Sequence, residues 1–534
     1  MKGEAQTRDS GKSGKLRGSV QKRCWRDGRW LETEGSEGQV RESGRPISAR
    51  AGDQARRCRR AGLIGVRASV VARKSLNGDG AKGTQEGGYV TEGRAEEKPA
   101  AVPERAKQAG EIWNRWNWVE PSVWTERMLT ALEKGVKGGK WFSLVDKIYA
   151  LTNLQEGFRK VKANEGGAGV DHQTIEMFEC HLKENLEKLS QLLKEGRYRP
   201  QAIRREWIPK PGSKEKRPLG IPTVRDRVVQ AALLNVLEPI FERDFAEQSY
   251  GFRPNRGCKD ALRRVDELLK RGNTWVVDAD LKSYFDTIPH GLLIKRVEEK
   301  VSDGAVIAIL EGYLKQEVME AMKRWTAEGG TPQGAVISPL LSNIYLDPLD
   351  HEMRESGIEM VRYADDFVIM CQSEAEAMKA LAKVREWTGP AGLQLHPEKT
   401  RIVDATQKGG FDFLGYHFER NMKWPRPKSL KKFKDTLRRK TQRTNGNSLQ
   451  VIIDDVNRST RGWFEYFKHS HRNTFPSLDR WIRMRLRSIL RKRHGRDGRG
   501  RGSDHQRWPN DFFSKHRLFS LELARAVACR SSLR

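Results

Sequence analysis

Apolar residues recur at regular spacing from about residue 140 onward, and the spacing changes along the chain. Lys140–Thr152 is apolar at helical intervals. Asp171–Lys194 places Ile175, Phe178, Leu182, Leu186, Leu189 and Leu193 on one stripe, which predicts a single long amphipathic helix. A glycine-rich loop, Asn164-Glu165-Gly166-Gly167-Ala168-Gly169-Val170-Asp171, leads into it. Arg204–Pro222 reads as strand, turn (Pro211-Gly212-Ser213) and strand, a hairpin rich in Lys and Arg. Val224–Arg243 reads as a further helix. Ser429–Gln442 and Val451–His469 have helical spacing, and Pro476–Arg493 makes a third, very basic helix. No internal repeat is visible.

The first part of the chain is different. The first hundred residues contain seventeen Gly and no Phe, with Arg-rich patches such as Arg56-Arg57-Cys58-Arg59-Arg60 and no sustained period of either kind. Such a segment cannot bury enough surface to offset chain entropy. Residues 1–110 are therefore expected to be a disordered, basic, Gly-rich extension. It is either an RNA-binding arm or the product of a start codon placed too early, with Met128 as the alternative start; order is expected from about Trp113. Apolar runs such as Ala305–Leu310 fall far short of the roughly 20 residues a membrane span needs. No apolar signal core follows the start, so a membrane protein is excluded and a secreted one disfavoured. Six cysteines (Cys24, Cys58, Cys180, Cys258, Cys371 and Cys529) lie far apart, which argues against a disulfide framework or a cysteine-rich zinc module and for a reducing interior.

Charge sharpens the picture. The 534 residues carry a net charge of +30. Residues 1–100 hold 22 Lys and Arg against 13 Asp and Glu, residues 421–534 hold 30 against 9, and the stretch between is balanced at 48 against 48. A neutral middle followed by a strongly basic end points to a core beside a polyanion-binding region. A solvated helical face is the plainer reading of a modest excess. Here the excess is large and interleaved with Trp463, Phe464, Tyr466, Phe467, Trp481 and Trp508, a pattern suited to nucleic acid.

Three separated stretches carry candidate chemistry. Thr274–Asp286 is a β-branched strand ending in carboxylates, among them Asp280. Gly329–Leu341 is a Gly/Pro loop running into a helix, with Ser338 as expected N-cap and Pro339 at the first helical position. Met360–Met370 sets two adjacent aspartates, Asp365 and Asp366, between apolar residues, as at the tip of a hairpin. Adjacent aspartates are also ordinary turn residues. If the strand and the hairpin are neighbours in one sheet, however, Asp280 and Asp365 converge at one end of it. Two hard divalent ions about 3.5–4 Å apart need such oxygen ligands from several elements.

In order and spacing these blocks resemble the group II intron-encoded reverse transcriptases/maturases, from about Phe142 to the C-terminus. Tyr363-Ala364-Asp365-Asp366 is similar to that family's Y-A-D-D box. Thr331-Pro332-Gln333-Gly334 with Ser338-Pro339-Leu340 looks like its nucleotide-proximal segment, and Ser249–Pro254 and Phe411–Tyr416 like further blocks. The resemblance implies an α+β right-hand polymerase fold: fingers and an antiparallel palm sheet in 111–420, a helical thumb/maturase domain in 421–495 and a basic tail in 496–534. It implies that Asp280, Asp365 and Asp366 bind two Mg²⁺ and are catalytic. Lys210 and Arg217 would hold the incoming dNTP, Phe285 would stack under its sugar, and Gln333 would lie near the nascent base pair. Lys399 would stand where a proton donor to pyrophosphate is expected. Phe413, Leu414 and Gly415 would grip the primer end. Read alone, Phe285 is a core aromatic, Lys399 a surface lysine, and Phe413-Leu414-Gly415 ordinary strand–turn packing.

For the basic end the resemblance implies binding to the parent intron RNA by Arg461, Trp463, Arg483, Arg485, Arg487, Arg491, Lys492 and Arg493, most of them through phosphates. The tail from Arg496 is expected to be flexible, a candidate DNA-binding segment that closes on a short aromatic stretch. Family members often end in an H-N-H nuclease with cysteine pairs; His494, His505 and His516 lack such pairs, so second-strand cleavage is not expected. The implied function is RNA-directed DNA polymerisation with assistance to splicing, and copying of the intron into DNA during retrohoming. Partners would be group II intron RNA, target DNA and dNTPs, with no membrane. The protein is expected in a bacterial-type cytoplasm, nucleoid-associated as a ribonucleoprotein. Two other readings stay open: a reverse transcriptase of a defence or diversity-generating element, and a non-catalytic RNA chaperone with a vestigial polymerase core.

Overall fold

The computed structural model describes residues 24–26, 29–31, 112, 114–136, 138–209, 216–320, 323–326 and 329–531. Strands β1 (Cys24–Arg26) and β2 (Arg29–Leu31) pair antiparallel within the expected N-terminal extension. The rest of that extension, and Trp113, lie outside the described residues.

Packing begins ahead of Met128. Trp116, Val119, Val123 and Trp124 are buried in the main core, and the Trp124 indole N–H donates to the Asn235 carbonyl at 2.9 Å. A chain starting at Met128 would lose all four anchors, so the alternative start does not match the folded unit. Lys140–Thr152 resolves into two helices, Val145–Tyr149 and Leu151–Asn164, broken at Ala150. The single stripe expected over 171–194 is likewise two helices, Ile175–Cys180 and Leu182–Lys194. His181, at φ −123° and ψ 36°, leaves the helical region between them, and Asn185 Nδ2 donates to the Phe178 carbonyl at the break. Periodicity survived the break, which is why it was invisible to a pattern search. The helix Val224–Glu242 starts at the Thr223 cap and is buried on nearly every side, as an all-round apolar helix must be.

The basic hairpin forms as β3 (Ile203–Pro209) and β4 (Lys216–Ile221); its turn, with Pro211, Gly212 and Ser213, lies outside the described residues. After the palm strand β5 (Trp275–Asp280), strands β6 (Glu317–Glu320) and β7 (Lys323–Thr326) return to this hairpin and complete a fingers sheet of order β4-β3-β6-β7. At four residues each, β6 and β7 were too short for an alternation to be read. The palm sheet is antiparallel, with order β10-β5-β9-β8, where β8 is Glu359–Tyr363, β9 Asp366–Cys371 and β10 Arg401–Asp404. One of its faces (Val277, Ala279, Phe367, Ile369) joins the main core. The other (Val276, Val368, Met370) packs on the helix Cys258–Lys270 and on a small sheet of β11 (Phe411–Phe413), β12 (Tyr416–Glu419) and β13 (Met422–Pro425).

The thumb consists of helices Pro427–Lys440, Leu449–Phe467 and Thr474–Arg493 around their own core. The tail does not extend away from it. Helices Asp504–Arg507, Asn510–Lys515 and Leu521–Ser531 fold back, burying Trp508, Phe513 and Leu521 beside Phe475, Ile482 and Leu486. Asp479 accepts from the Leu521 and Glu522 backbone N–H groups and so caps the last helix. The expected boundary at 495 and the flexible tail are therefore corrected: the aromatic residues after it are thumb core. Among the described residues no helix is long and apolar enough to cross a membrane.

Candidate active site on the palm

The register of β5 against β9 puts Asp280 directly opposite Asp366. Side chains alternate along a strand, so Asp278 and Asp280 share the face of Val276, and Asp366 shares that of Val368 and Met370. One face of the sheet thus passes from apolar packing at one end to carboxylates at the other. Tyr363 pairs with Asp366, leaving Ala364 and Asp365 as a two-residue turn with Ala364 at φ +60°. Burial, together with the neighbouring Asp365, Asp278 and Asp280 carboxylates, pushes the Asp366 carboxyl up to about 7. Asp365 is raised by burial and by Asp280, against the opposing charges of Arg362 and Lys399. Asp278 is raised by burial, against its Arg401 partner at 3.2 Å. Asp280 Oδ2 receives Lys399 Nζ at 2.6 Å. Among the described residues no three acidic, His or Cys side chains converge on one point as they stand. The donor set is nonetheless hard oxygen, from Asp280 and Asp366 on adjacent strands and Asp365 in the turn beside them, which is the chemistry a divalent cation fits.

A buried scaffold, missed in the sequence reading, holds the turn. Arg362 on β8 donates to both Asp350 carboxylate oxygens, to Asn343 Oδ1 at 3.0 Å and to the Ala364 carbonyl at 2.9 Å. Asn343 Nδ2 donates to the Gly251 carbonyl at 2.8 Å. Backbone bonds Tyr250 N–Arg362 O and Arg362 N–Gln248 O lay Ser249–Gly251 along β8. A Cβ on Gly251 would stand 2.2 Å from the Ala364 nitrogen, so only glycine lets this segment lie against the turn. An arginine inside the apolar run Met360-Val361-Arg362-Tyr363 was the available signal, since a buried guanidinium needs a carboxylate; nothing local pointed to Asp350.

The loop before the helix Ser338–Glu355 spans palm and fingers. Thr331 N donates to Phe285 O at 2.6 Å and Gly220 N, on β4, to Gln333 O at 2.6 Å. Gln333 is thereby held between the two parts, and Phe285 lies half-buried against the core, edge-on to Tyr284. Gly334, at φ +111°, passes so close to the Gly220 carbonyl that a Cβ would lie 2.5 Å away. Ser338 is not the expected N-cap: its hydroxyl donates back to Pro332 O at 2.9 Å, tightening the loop instead. Arg217 is exposed on β4 opposite Ile208, and Lys210 lies outside the described residues.

Of the three residues expected at the primer, the Phe413 ring is fully buried and is corrected to a packing role. Leu414 (φ +46°) and Gly415 (φ +84°) form the turn between β11 and β12. Their carbonyls accept from Tyr466 Oη and Ser429 Oγ, which tie the turn to the thumb. Several expected RNA contacts are likewise internal. Arg487, 2% exposed, donates to Trp508 O and Asn510 Oδ1. Arg485 binds Thr441 and the Arg438 carbonyl at the end of the first thumb helix. Arg491 pairs with Asp504 and Trp463 stacks on Phe433 at 4.5 Å, whereas Arg493 is exposed and its guanidinium donates to Asn445 O and Asn447 O at the surface. The desolvated Arg487 cannot reach a phosphate without opening the core, and Trp463 is a helix–helix contact. Arg461 is exposed over the Phe519 ring, Arg483 is half-buried, and Lys492 is exposed and paired with Asp497. The overlooked basic face is that of Pro427–Lys440, where Lys428, Lys431, Lys432 and Arg438 are exposed; their spacing was legible in the sequence.

Comparison with known proteins matches residues 208–418 to the family described as reverse transcriptase (RNA-dependent DNA polymerase). Residues 430–508 match the maturase-specific domain of group II introns. Protein YkfC of Escherichia coli (strain K12) is 34% identical over 346 residues, which cover 57% of this chain and 86% of that protein. The group II intron-encoded protein LtrA of Lactococcus lactis subsp. cremoris is 38% identical over 195 residues, 36% of this chain and 32% of LtrA, so this match spans about a third of that relative. A solved partial Cas6-RT-Cas1–Cas2 complex overlaps 46% of this chain and 41% of its own at 22% identity, with a TM-score of 0.31. With both domains matched in order across the palm and thumb, the chain belongs to the group II intron-encoded reverse transcriptases/maturases, RNA-directed DNA polymerases with a maturase domain.

Proposed function

We propose that this protein copies its parent group II intron RNA into DNA during retrohoming, at a two-Mg²⁺ site built on Asp280, Asp365 and Asp366, and that its thumb binds the same RNA and assists its splicing. The observation that carries the reading is the β5–β9 register, which sets Asp280 opposite Asp366 with Asp365 beside it. Asp280, Asp365 and Asp366 would hold the ions, which would supply activation of the primer 3′-hydroxyl and stabilisation of the departing pyrophosphate. Arg217, with Lys210, neutralises the triphosphate of the incoming dNTP. Phe285 lies beneath the nucleotide sugar and Gln333 beside the new base pair. Lys399 stands at the phosphate side of the carboxylates, and the backbone of Leu414 and Gly415 supports the primer end next to target DNA.

For the RNA, exposed Arg461 and Lys492 and half-buried Arg483, with the lysine face of Pro427–Lys440, supply phosphate contacts that set affinity and register. The remaining thumb arginines hold the surface in shape. Primer extension on an RNA template, comparing the parent with Asp365→Ala, tests the polymerase half. Complementary DNA from the parent and essentially none from the variant, with RNA binding kept, is the expected result. A folded parent that binds RNA tightly yet makes no DNA would leave only the splicing role.

A further inference from the structure

Asp280 is fastened twice to one loop. The His396 N–H donates to the Asp280 carbonyl at 2.7 Å, and three residues later Lys399 Nζ lies 2.6 Å from Asp280 Oδ2. The loop is pinned on both sides of this point. Lys282 N donates to Gln394 O at 2.8 Å, Leu281 and Leu395 form an antiparallel bridge, and Thr400 N closes a turn onto His396 O at 3.0 Å. These backbone bonds hold the loop that carries Lys399 beside Asp280, within reach of the lysine side chain.

The pair itself is open to solvent, with Lys399 60% and Asp280 41% exposed. Among the described residues it is the only ion pair made by any of the three carboxylates Asp280, Asp365 and Asp366. The Lys399 charge also reaches Asp365. Such an open pair is weak, whereas a hard dication gains several oxygen ligands at once.

We propose that Lys399 is the exchangeable counter-ion of the carboxylate cluster: its ammonium holds Asp280 when no divalent cation is bound, and is displaced from it when one binds. Lys399 then lowers the affinity of the nucleic-acid-free protein for the cation and keeps the metal-free cluster from repelling itself apart. This rests on the assignment of Asp280, Asp365 and Asp366 as cation ligands.

The test is Mn²⁺ binding to the full chain without nucleic acid, followed by the electron paramagnetic resonance of free Mn²⁺, with melting temperatures in EDTA and in MnCl₂. Lys399→Met is expected to bind Mn²⁺ about two- to fivefold more tightly than the parent, the scale of an exposed ion pair. It is also expected to melt lower in EDTA and to gain more from MnCl₂. Lys399→Arg, which keeps the charge, should bind no more tightly than the parent. Equal or weaker Mn²⁺ binding by Lys399→Met overturns the exchange while leaving the ligand assignment standing. Mn²⁺ binding by the parent no better than by Asp365→Ala overturns the ligand assignment and the exchange with it. Should Lys399→Met fail to fold, the parent decides alone. With its lysines ¹³C-methylated, the resonance missing from Lys399→Arg must shift on adding Mg²⁺, and an unmoved resonance overturns the exchange.

Discussion

Arg362 and Asp350 form an ion pair in which neither side chain is exposed at all, between β8 and the helix Ser338–Glu355. The guanidinium also holds the carbonyl of Ala364, one residue before Asp365. The turn that carries Asp365 is thus positioned by a charge pair beneath it, and its two-residue connection, with a non-glycine residue at φ +60°, is kept in place by that pair. Removing one partner leaves a buried charge without compensation. Arg362→Met and Asp350→Asn are each expected to cost about 3–5 kcal/mol of stability. Chemical denaturation checks this, and a loss under 1 kcal/mol for both would show that the pair does not bear on the palm.

Gly251 supplies the second support. Because its Cβ position falls on the backbone of Ala364 and no flexible side chain can yield there, Gly251→Ala must push the turn away. DNA synthesis is expected to fall about a hundredfold or more, in keeping with the sensitivity of catalysis to displacements near 1 Å. RNA binding by the thumb should be unchanged. Primer extension beside a filter-binding titration separates the two, and a fully active Gly251→Ala protein would refute the close approach.

Glu238, on the central helix Val224–Glu242, is raised to about 7 by burial and by Glu242, against the charge of Lys160. The folded protein therefore keeps a proton that the unfolded chain gives up near the ordinary carboxylate value of about 4.3. Between those two values stability falls as pH rises, and above the higher one the loss is complete. Glu238→Gln should match the parent near pH 4 and exceed it by about 3–4 kcal/mol at pH 8. Urea melts at both pH values measure this; an equal difference at the two would exclude the titration.

The thumb offers a contrast between two kinds of basic residue. Arg487 serves the core, so Arg487→Met should lower the melting temperature and leave the salt dependence of RNA binding as it was. Exposed Lys431 and Lys432 should behave in the opposite way. Replacing both by Ala is expected to leave melting unchanged while reducing the slope of log affinity against log salt by about 0.7–0.9 per lysine. Binding titrations at several salt concentrations distinguish them.

The sequence by itself determined the local and the chemical features. The β-branched and apolar runs of β5 and β9, the basic β3–β4 hairpin, the long thumb helices and the acidic box all depend on short-range patterns of residue type, which survive in one dimension. The aspartates were legible because carboxylates at the end of an apolar strand are costly unless they do something. Tertiary structure decided what depends on partners distant in the chain. It separated Arg487, satisfied by Trp508 and Asn510, from Arg461 on the surface, although both were simply arginines in a basic region. It also turned the tail after Gly495 into thumb core, because Trp508, Phe513 and Leu521 bury apolar area only once the three longer helices have formed a surface to receive them. The support of Asp365 by Arg362, Asp350, Asn343 and Gly251 joins four places in the chain. No spacing rule connects them; a buried charge and a backbone approach that admits no Cβ do.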